Sequence, residues 1–357
     1  MAQDGIDFLL KNRVSWLADS GPEDDIAISS RIRLARNLNG LPFPIAAQPE
    51  QLKSTMDAIN IAVKKNRCMD KSLNFNLENV SDLDRQVLLE RRLISREVLG
   101  KKPGSGLIVS CDEEYGIMIN EEDHIRIQAM KPGFQLDEVW SAIDGLDSRL
   151  GEGLPYAFDN KMGFLTSCPT NIGTGMRASV MLHLPGLALS DQINSVIQGV
   201  SKLGLAVRGI FGEGSDNRGN LYQVSNQSTL GESEEQIIER LGTVIRQIIS
   251  HEKNARNTLL ERQQDFLLDH IGRAYGILRH AYIISSEETL NSLSALRLGV
   301  DLGMFSSVDI HTVNELFVIV QPAHLQKYAA KELSSEERDV FRASLLRDKL
   351  RCMDHNK

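Results

Sequence analysis

The apolar positions of this chain follow two rhythms. Before Glu234 they come in short runs, several alternating with a period of two. From Glu234 onward they recur at helical spacing with few breakers. In the first part, Ile26 to Leu34 alternates well enough for a strand. Ser29, Arg31 and Arg33 then share one face, and Ile32 and Leu34 point the other way. GLIVS, GIMIN and IRIQAM, separated by turns, predict adjacent antiparallel strands. LAVRGIF and LYQVS predict the two strands of a hairpin, with Gly212, Gly214 and Gly219 between them. Helices are predicted over 6–18, 49–66, 82–93, 136–149 and 190–203. Leu136, Val139, Ile143 and Leu146 mark the buried face of one of these, and Ser81 and Ser190 supply N-cap signals. In the second part, Ser334 and Glu337 have capping-box spacing. Strands followed by helices in a row predict an α+β region over 1–253, with an antiparallel sheet flanked by helices. A separate α-helical domain over 254–357 would follow.

Composition adds limits. The chain has 357 residues, 41% hydrophobic and 25% charged, with a formal net charge of −8. That balance argues against a nucleic-acid surface, and it makes local arginine clusters informative. No run of about 18 apolar residues is present, so no membrane span is expected. The N-terminus lacks a basic stretch before an apolar core, so no secretory signal is expected. Cys68, Cys111, Cys168 and Cys352 form no CxxC pair and no metal-ligand spacing with histidine. They read as free thiols of a cytoplasmic protein, with no protein-held metal.

Several stretches carry candidate chemistry. Cys168 to Ser179 reads CPTNIGTGMRAS. Gly173 and Gly175 there allow close backbone approach to an anion, although a tight turn with a buried cysteine has the same pattern. Arg31 and Arg33 form a clamp for phosphate oxygens or a solvated basic edge. Arg36 is placed to structure the turn after them. Glu121, Glu122 and Asp123 are three successive acids that need a cation or a solvated turn. Arg208 and Glu213 stand five residues apart in a glycine-rich stretch. Arg338 and Arg342 stand at i,i+4 on one predicted helix face.

Four of these stretches, SSRIRLAR, NEEDHIRIQAM, CPTNIGTGMRAS and RGIFGE, occur in an order that resembles the phosphagen (guanidino) kinase family. The resemblance spans roughly residues 26 to 233. It implies ATP and Mg²⁺ as cofactors. It implies that Glu122 is the catalytic carboxylate, that Glu213 is a second guanidinium-binding carboxylate, and that Cys168 touches the guanidinium. Nucleotide contacts are implied for Ser29, Ser30, Arg31, Ile32 and Arg33, and for His124 and Arg126, although His124 taken alone reads as a structural hydrogen-bonding residue. They are also implied for Arg177, Ala178, Ser179, Val180 and Met181, and for Arg208, Gly209, Ile210, Phe211, Gly212 and Glu213. Relatives are expected to carry a histidine near Arg92, which this chain lacks.

SSRIR begins at residue 29, too early for the helical domain that precedes it in small-molecule guanidino kinases, and a helical extension follows instead. This arrangement is similar to the bacterial protein arginine kinase (McsB-type) branch. RDVFRA (Arg338, Asp339, Val340, Phe341, Arg342, Ala343) matches the phosphoarginine-sensing pocket of that branch. The resemblance implies phosphorylation of arginine side chains in proteins, marking them for a Clp chaperone-protease in the stress response. It also implies a zinc-binding activator, and the helical domain is expected to form a homodimer. A kinase of free arginine and a non-catalytic phosphoarginine adaptor are the alternatives.

Overall fold

The alternating stretch around Arg31 becomes a central strand of the main sheet. The structure, a computed structural model, describes residues 2–65, 69, 71–100, 103–209, 218–305 and 307–354. The first strands are β1 (Ala27–Arg36), β2 (Ser72–Asn76), β3 (Gly106–Ser110), β4 (Tyr115–Ile119) and β5 (Ile125–Pro132). The later ones are β6 (Phe158–Asp159), β7 (Gly163–Phe164), β8 (Met176–His183), β9 (Leu205–Gly209) and β10 (Leu221–Asn226). Eight form one sheet in the order β2-β3-β4-β5-β1-β8-β10-β9, and β6 pairs with β7 apart from it. The predicted neighbours β3, β4 and β5 are antiparallel, as is β1 against β5.

The chain divides into two compact units. The first comprises Met1–Trp16, Ser29–Val180 and Ser225–Thr243. The second comprises Leu17–Ile28, Met181–Val224 and Val244–Lys357. In the first unit a core of Ile6, Leu9, Phe75, Leu88, Leu107 and Met118 lies behind the sheet. The helix Leu136–Gly151 buries Leu136, Val139, Ile143 and Leu146, the face its spacing marks. The second unit is mostly helical. Helices Gln264–His280, Ser286–Asp301, Ile310–Ile319, Pro322–Ala329 and Ser335–Asp354 follow the long helix Glu234–Arg262. Leu259, Leu267, Ile271 and Leu298 pack together there.

Local signals at helix starts hold where a side chain can reach an amide. Ser81 Oγ accepts from Asp84 N at 3.1 Å. Ser334 and Glu337 cap each other reciprocally, at 3.2 and 2.8 Å. Ser190 does not cap a start. It follows the short helix Pro185–Leu189 and donates to Gly186 O at 2.7 Å, and the next helix, Ile193–Lys202, begins after Gln192. The predicted helix 6–18 is two pieces, Ala2–Lys11 and Ser15–Ala18.

Candidate active site

The site begins with strand register. Arg33 pairs with Gln128 and Ala35 with Arg126, so β1 and β5 present Arg31, Arg33 and Arg126 on one face. On β8, the strand on the other side of β1, Arg177 donates to Ser225 Oγ at 3.2 Å. The positive charges act on one another. Burial pushes Arg31 well below its ordinary value, and the charges of Arg33, Arg92, Arg126 and Arg177 push it further. Arg33 is lowered to about 9 by burial and by Arg126 and Arg177, with Glu121 and Glu97 opposing. A guanidinium stays protonated at neutral pH. The depressions therefore reflect burial first and, for Arg31 and Arg33, the neighbouring positive charges second. The Nε atoms of Arg31 and Arg33 are buried without a hydrogen-bond partner. A polyanion on this face would meet charge and unused donors together.

Arg92 belongs to the same cluster, and its neighbour does not. Arg91 is 1% exposed and forms a buried ion pair with Glu113, its Nε donating at 3.0 Å. Arg92 has φ +62°, which turns it away from the helix path. Its guanidinium lies 5.7 Å from the Trp16 ring centroid, and its carbonyl accepts from Gln128 Nε2 at 3.2 Å. Burial lowers it to about 10. Nothing in the residue spacing marks this left-handed turn. Glu97 was also invisible in sequence. Burial raises it, but its own amide, Ser95 and the charges of Arg126 and Arg33 outweigh that and hold it below its ordinary value.

The three acids separate by role. Glu121 is wholly buried as a side chain, lies 2.6 Å from Arg126 and accepts from Ser95 Oγ. Asp123 is equally buried and accepts from Asn37 Nδ2 at 2.6 Å and Ser167 N at 2.7 Å. Glu122 is 42% exposed, and its carboxylate meets Arg126 Nη2 at 3.0 Å. It is the one of the three that an incoming group can reach. His124 is structural. Its Nδ1 accepts from Leu38 N at 3.0 Å, so its Nε2 carries the proton donated to Pro42 O at 3.1 Å. Burial lowers its pKa, which favours that neutral form.

The glycine loop packs closely against its neighbours. Gly173 has φ +110°, and a Cβ there would lie 2.2 Å from Thr229 O. Gly175 has φ +64°, and its Cβ would lie 2.6 Å from Ala35 O. The loop amides serve the backbone: Thr174 N donates to Thr229 O at 3.1 Å, and Gly175 O accepts from Ala35 N at 2.9 Å. The glycines seat the loop against the sheet. Arg36 fixes the turn as expected, bonding Thr174 O at 2.9 Å and Asp147 at 2.7 Å. Cys168 is half-buried at the loop entrance, with Sγ 3.0 Å from Thr170 Oγ1. Ser167 Oγ donates to Glu122 O at 2.7 Å, which ties the cysteine segment to the exposed carboxylate's backbone.

The other predicted positions divide between support and surface. Ser30 donates to Gly133 O at 2.9 Å and accepts from Gln135 N at 3.0 Å. Ser29, Ile32, Ala178, Ser179, Val180 and Met181 are buried in or beside β1 and β8. Arg208 is exposed on β9 in the second unit, with Gly209 ending that strand. Ile210, Phe211, Gly212 and Glu213 lie outside the described residues. In RDVFRA, Arg342 is 2% exposed and donates to Val320 O at 3.1 Å, to Ile284 O at 3.0 Å and to Asp339. Arg338 is half-buried and donates to Leu333 O at 2.9 Å, and Ala343 is buried. Among the described residues no helix is long and apolar enough to cross a membrane. Nor do they include a group of three or more His, Cys, Asp or Glu placed to hold a metal ion. Glu121 and Asp123 are already engaged, so Mg²⁺ fits this site as part of a nucleotide substrate, held by phosphate oxygens.

Comparisons with known proteins agree on one group. The chain matches the C-terminal catalytic domain of ATP:guanido phosphotransferases over residues 55–255. It matches the protein-arginine kinase McsB C-terminal domain over residues 264–357. It is 46% identical over 344 residues to a protein-arginine kinase of Halothermothrix orenii, covering 96% of this chain and 98% of that one. It is 44% identical over 338 residues to the protein-arginine kinase of Bacillus subtilis, covering 94% and 93%. Among solved structures it is similar to a duplicated taurocyamine kinase of Schistosoma mansoni, with TM-score 0.59 and 27% identity. That match covers 69% of this chain and 35% of the duplicated protein, so the chain corresponds to about a third of its length.

Proposed function

Since the chain belongs to the protein-arginine kinases, within the ATP:guanido phosphotransferases, we propose that it transfers the γ-phosphoryl of MgATP to arginine side chains of proteins. One observation carries the assignment of roles. Arginines from β1, β5, β8 and the turn at Arg92 converge with more positive charge than their carboxylates offset, and Glu122 stands exposed at the edge. Arg31, Arg33, Arg92, Arg126 and Arg177 hold the triphosphate and offset charge during transfer. Arg208, Gly209 and the stretch from Ile210 to Glu213 complete the nucleotide contacts.

The nucleophile is a guanidino nitrogen of the substrate arginine. Its lone pair is delocalised and its group is protonated at neutral pH, so it needs alignment and a base. Glu122 takes the proton as the N–P bond forms and the bond from phosphorus to the ADP oxygen breaks. Glu213 aligns the planar fork. Cys168, next in the chain to the tie between Ser167 and Glu122, adds a polarisable contact to the guanidinium. Arg126 contacts Glu122 and lies in the anion bed, so nucleotide binding and release of the base share one side chain.

The same reading divides the chain at residue 253 into a catalytic domain and a helical C-terminal domain. The latter senses phosphoarginine through Arg338, Asp339, Arg342 and Ala343 and forms a homodimer. Marking of proteins for a Clp chaperone-protease, activation by a zinc-binding partner, a part in the stress response and a cytoplasmic location belong to it as well. Free arginine and adaptor activity are the competing readings. The test supplies γ-labelled MgATP with an unfolded arginine-rich protein and, separately, with free arginine. Acid-labile label on the protein alone is the expected result. Label on free arginine alone would replace this reading with a small-molecule kinase, and label on neither would favour the adaptor.

A further inference from the structure

We infer that Asn37 is a positioning residue for the reaction: its buried amide joins the turn that carries Glu122 to the segment that carries Cys168. The inference rests on the proposed kinase activity for its consequence, but its geometry stands alone. Every residue concerned lies in the first unit.

Asn37 is the first residue past β1, whose last residue, Arg36, pairs with Ile125. It is 1% exposed, and each hydrogen-bonding atom of its side chain is used. Oδ1 accepts from His124 N at 2.9 Å. Nδ2 donates to Asp123 Oδ1 at 2.6 Å and to Leu165 O at 3.1 Å. With an N–H on one side and a carboxylate on the other, the amide can point only one way. The Asn37 carbonyl accepts from Ala157 N at 2.7 Å, and Ala157 O accepts from Leu165 N at 2.9 Å. One residue therefore grips the acidic turn and the chain on its way to Cys168.

Asp123 carries the link onward. The same Oδ1 accepts from Ser167 N at 2.7 Å, one residue before Cys168. Ser167 Oγ donates back to Glu122 O at 2.7 Å. The acidic turn is closed on itself by Asn120 N, which donates to His124 O at 3.0 Å. Asn120 takes φ +52° there, and its side chain donates to Leu52 O at 2.8 Å and Gly104 O at 2.7 Å. Glu122 is the exposed acid between two whose side chains are wholly buried. Its backbone is held on the cysteine side by Ser167, and its neighbour Asp123 is held by Asn37.

The chemistry demanded at position 37 is that of an amide. Aspartate has the same shape and keeps an acceptor for His124 N. It offers no donor, and it sets a second carboxylate against Asp123. Alanine leaves Asp123 and Leu165 O without this donor. Either change loosens the acidic turn from the cysteine segment. Arg31, Arg33, Arg126 and Arg177 stand on β1, β5 and β8, which the sheet ladder holds as neighbours. Transfer therefore falls more than nucleotide affinity.

The test compares Asn37→Ala, Asn37→Asp and Ser167→Ala in the full chain. Alkylation of Cys168, read by mass spectrometry, needs no activity, and Cys111 of the same unit is the internal control. The rate at Cys168 is expected to rise about threefold or more in both Asn37 variants, with Cys111 unchanged. The kcat for protein phosphorylation is expected to fall about tenfold or more in both, with the MgATP dissociation constant within about threefold of the parent. A residue that only filled space would be replaced without loss by its isostere, so Asn37→Asp at the parental kcat would overturn the inference. So would unchanged kcat or unchanged Cys168 alkylation in Asn37→Ala. Ser167→Ala removes one hydroxyl at a half-buried position, and its kcat is expected to fall about threefold. Should the Asn37 variants not fold, parental kcat and parental Cys168 alkylation in Ser167→Ala would overturn the inference in their place. Faster Cys168 alkylation in the variants of a chain that phosphorylates no protein would count against the kinase reading and leave the bridge at Asn37 standing.

Discussion

Arg91 and Arg92 are adjacent and chemically identical, yet they serve different ends. Arg91 is sealed against Glu113, and Arg92 turns through a left-handed residue into the positive cluster. Arg91→Ala should destabilise the protein by about 3–5 kcal/mol, because it leaves Glu113 buried and unpaired. Urea unfolding measures this. Arg92→Ala should cost about 1 kcal/mol or less in stability and weaken MgATP binding by about tenfold, or about 1.4 kcal/mol. Calorimetric titration checks the second figure. The pair also marks a limit of the sequence. Alternation along β1 was enough to place Arg31 and Arg33 on one face, because side-chain direction in a strand follows from parity. A single φ of +62° has no such periodic signature. The acidic triplet is similar. Three neighbouring acids were legible as a cluster, but only packing around Asn37, Ser95 and Ser167 decides that Glu122 is the one left open.

Among elements, those set by a long apolar pattern matched expectation. β3, β4 and β5, the helix Leu136–Gly151 and the cap at Ser334 all lie where periodicity or spacing placed them. Ser190 misled because a serine that can cap a following helix can equally return its hydroxyl to a carbonyl of the preceding one. The glycine loop was legible in its location, while its spacing left open whether a tight turn or approach to an anion required the glycines. Its glycines are required by backbone contact with Thr229 and Ala35, a tertiary demand that spacing within the loop cannot express. Gly173→Ala should therefore cost about 1–3 kcal/mol, from the positive φ alone, with more from the Thr229 clash. Chemical denaturation reads the cost, and a stability within about 0.5 kcal/mol of the parent would contradict this account of the loop.

Across the whole molecule, an acidic chain with a net charge of −8 concentrates cations on one face of its sheet. Arg33 shows what that costs the free protein. Its folded pKa lies at about 9, below its ordinary value, so its protonated form disfavours the fold at every pH below 9. The penalty fades only as pH rises through that value. At neutral pH, Arg33→Met should stabilise the unliganded protein by about 0.5–2 kcal/mol. It should also diminish the stabilisation by MgATP, which at a hundredfold excess over its dissociation constant is about 2.7 kcal/mol in the parent. Thermal unfolding with and without nucleotide checks both signs. The central claim is narrower: the arginine face holds the triphosphate, and Glu122 acts on the guanidinium. Single-turnover phosphoryl transfer to a protein substrate by Glu122→Gln, with the MgATP dissociation constant measured on the same sample, tests it most directly. The account predicts a rate lower by about 10²–10⁴-fold with nucleotide affinity within about threefold of the parent. A variant that transfers phosphate at the parental rate would contradict it.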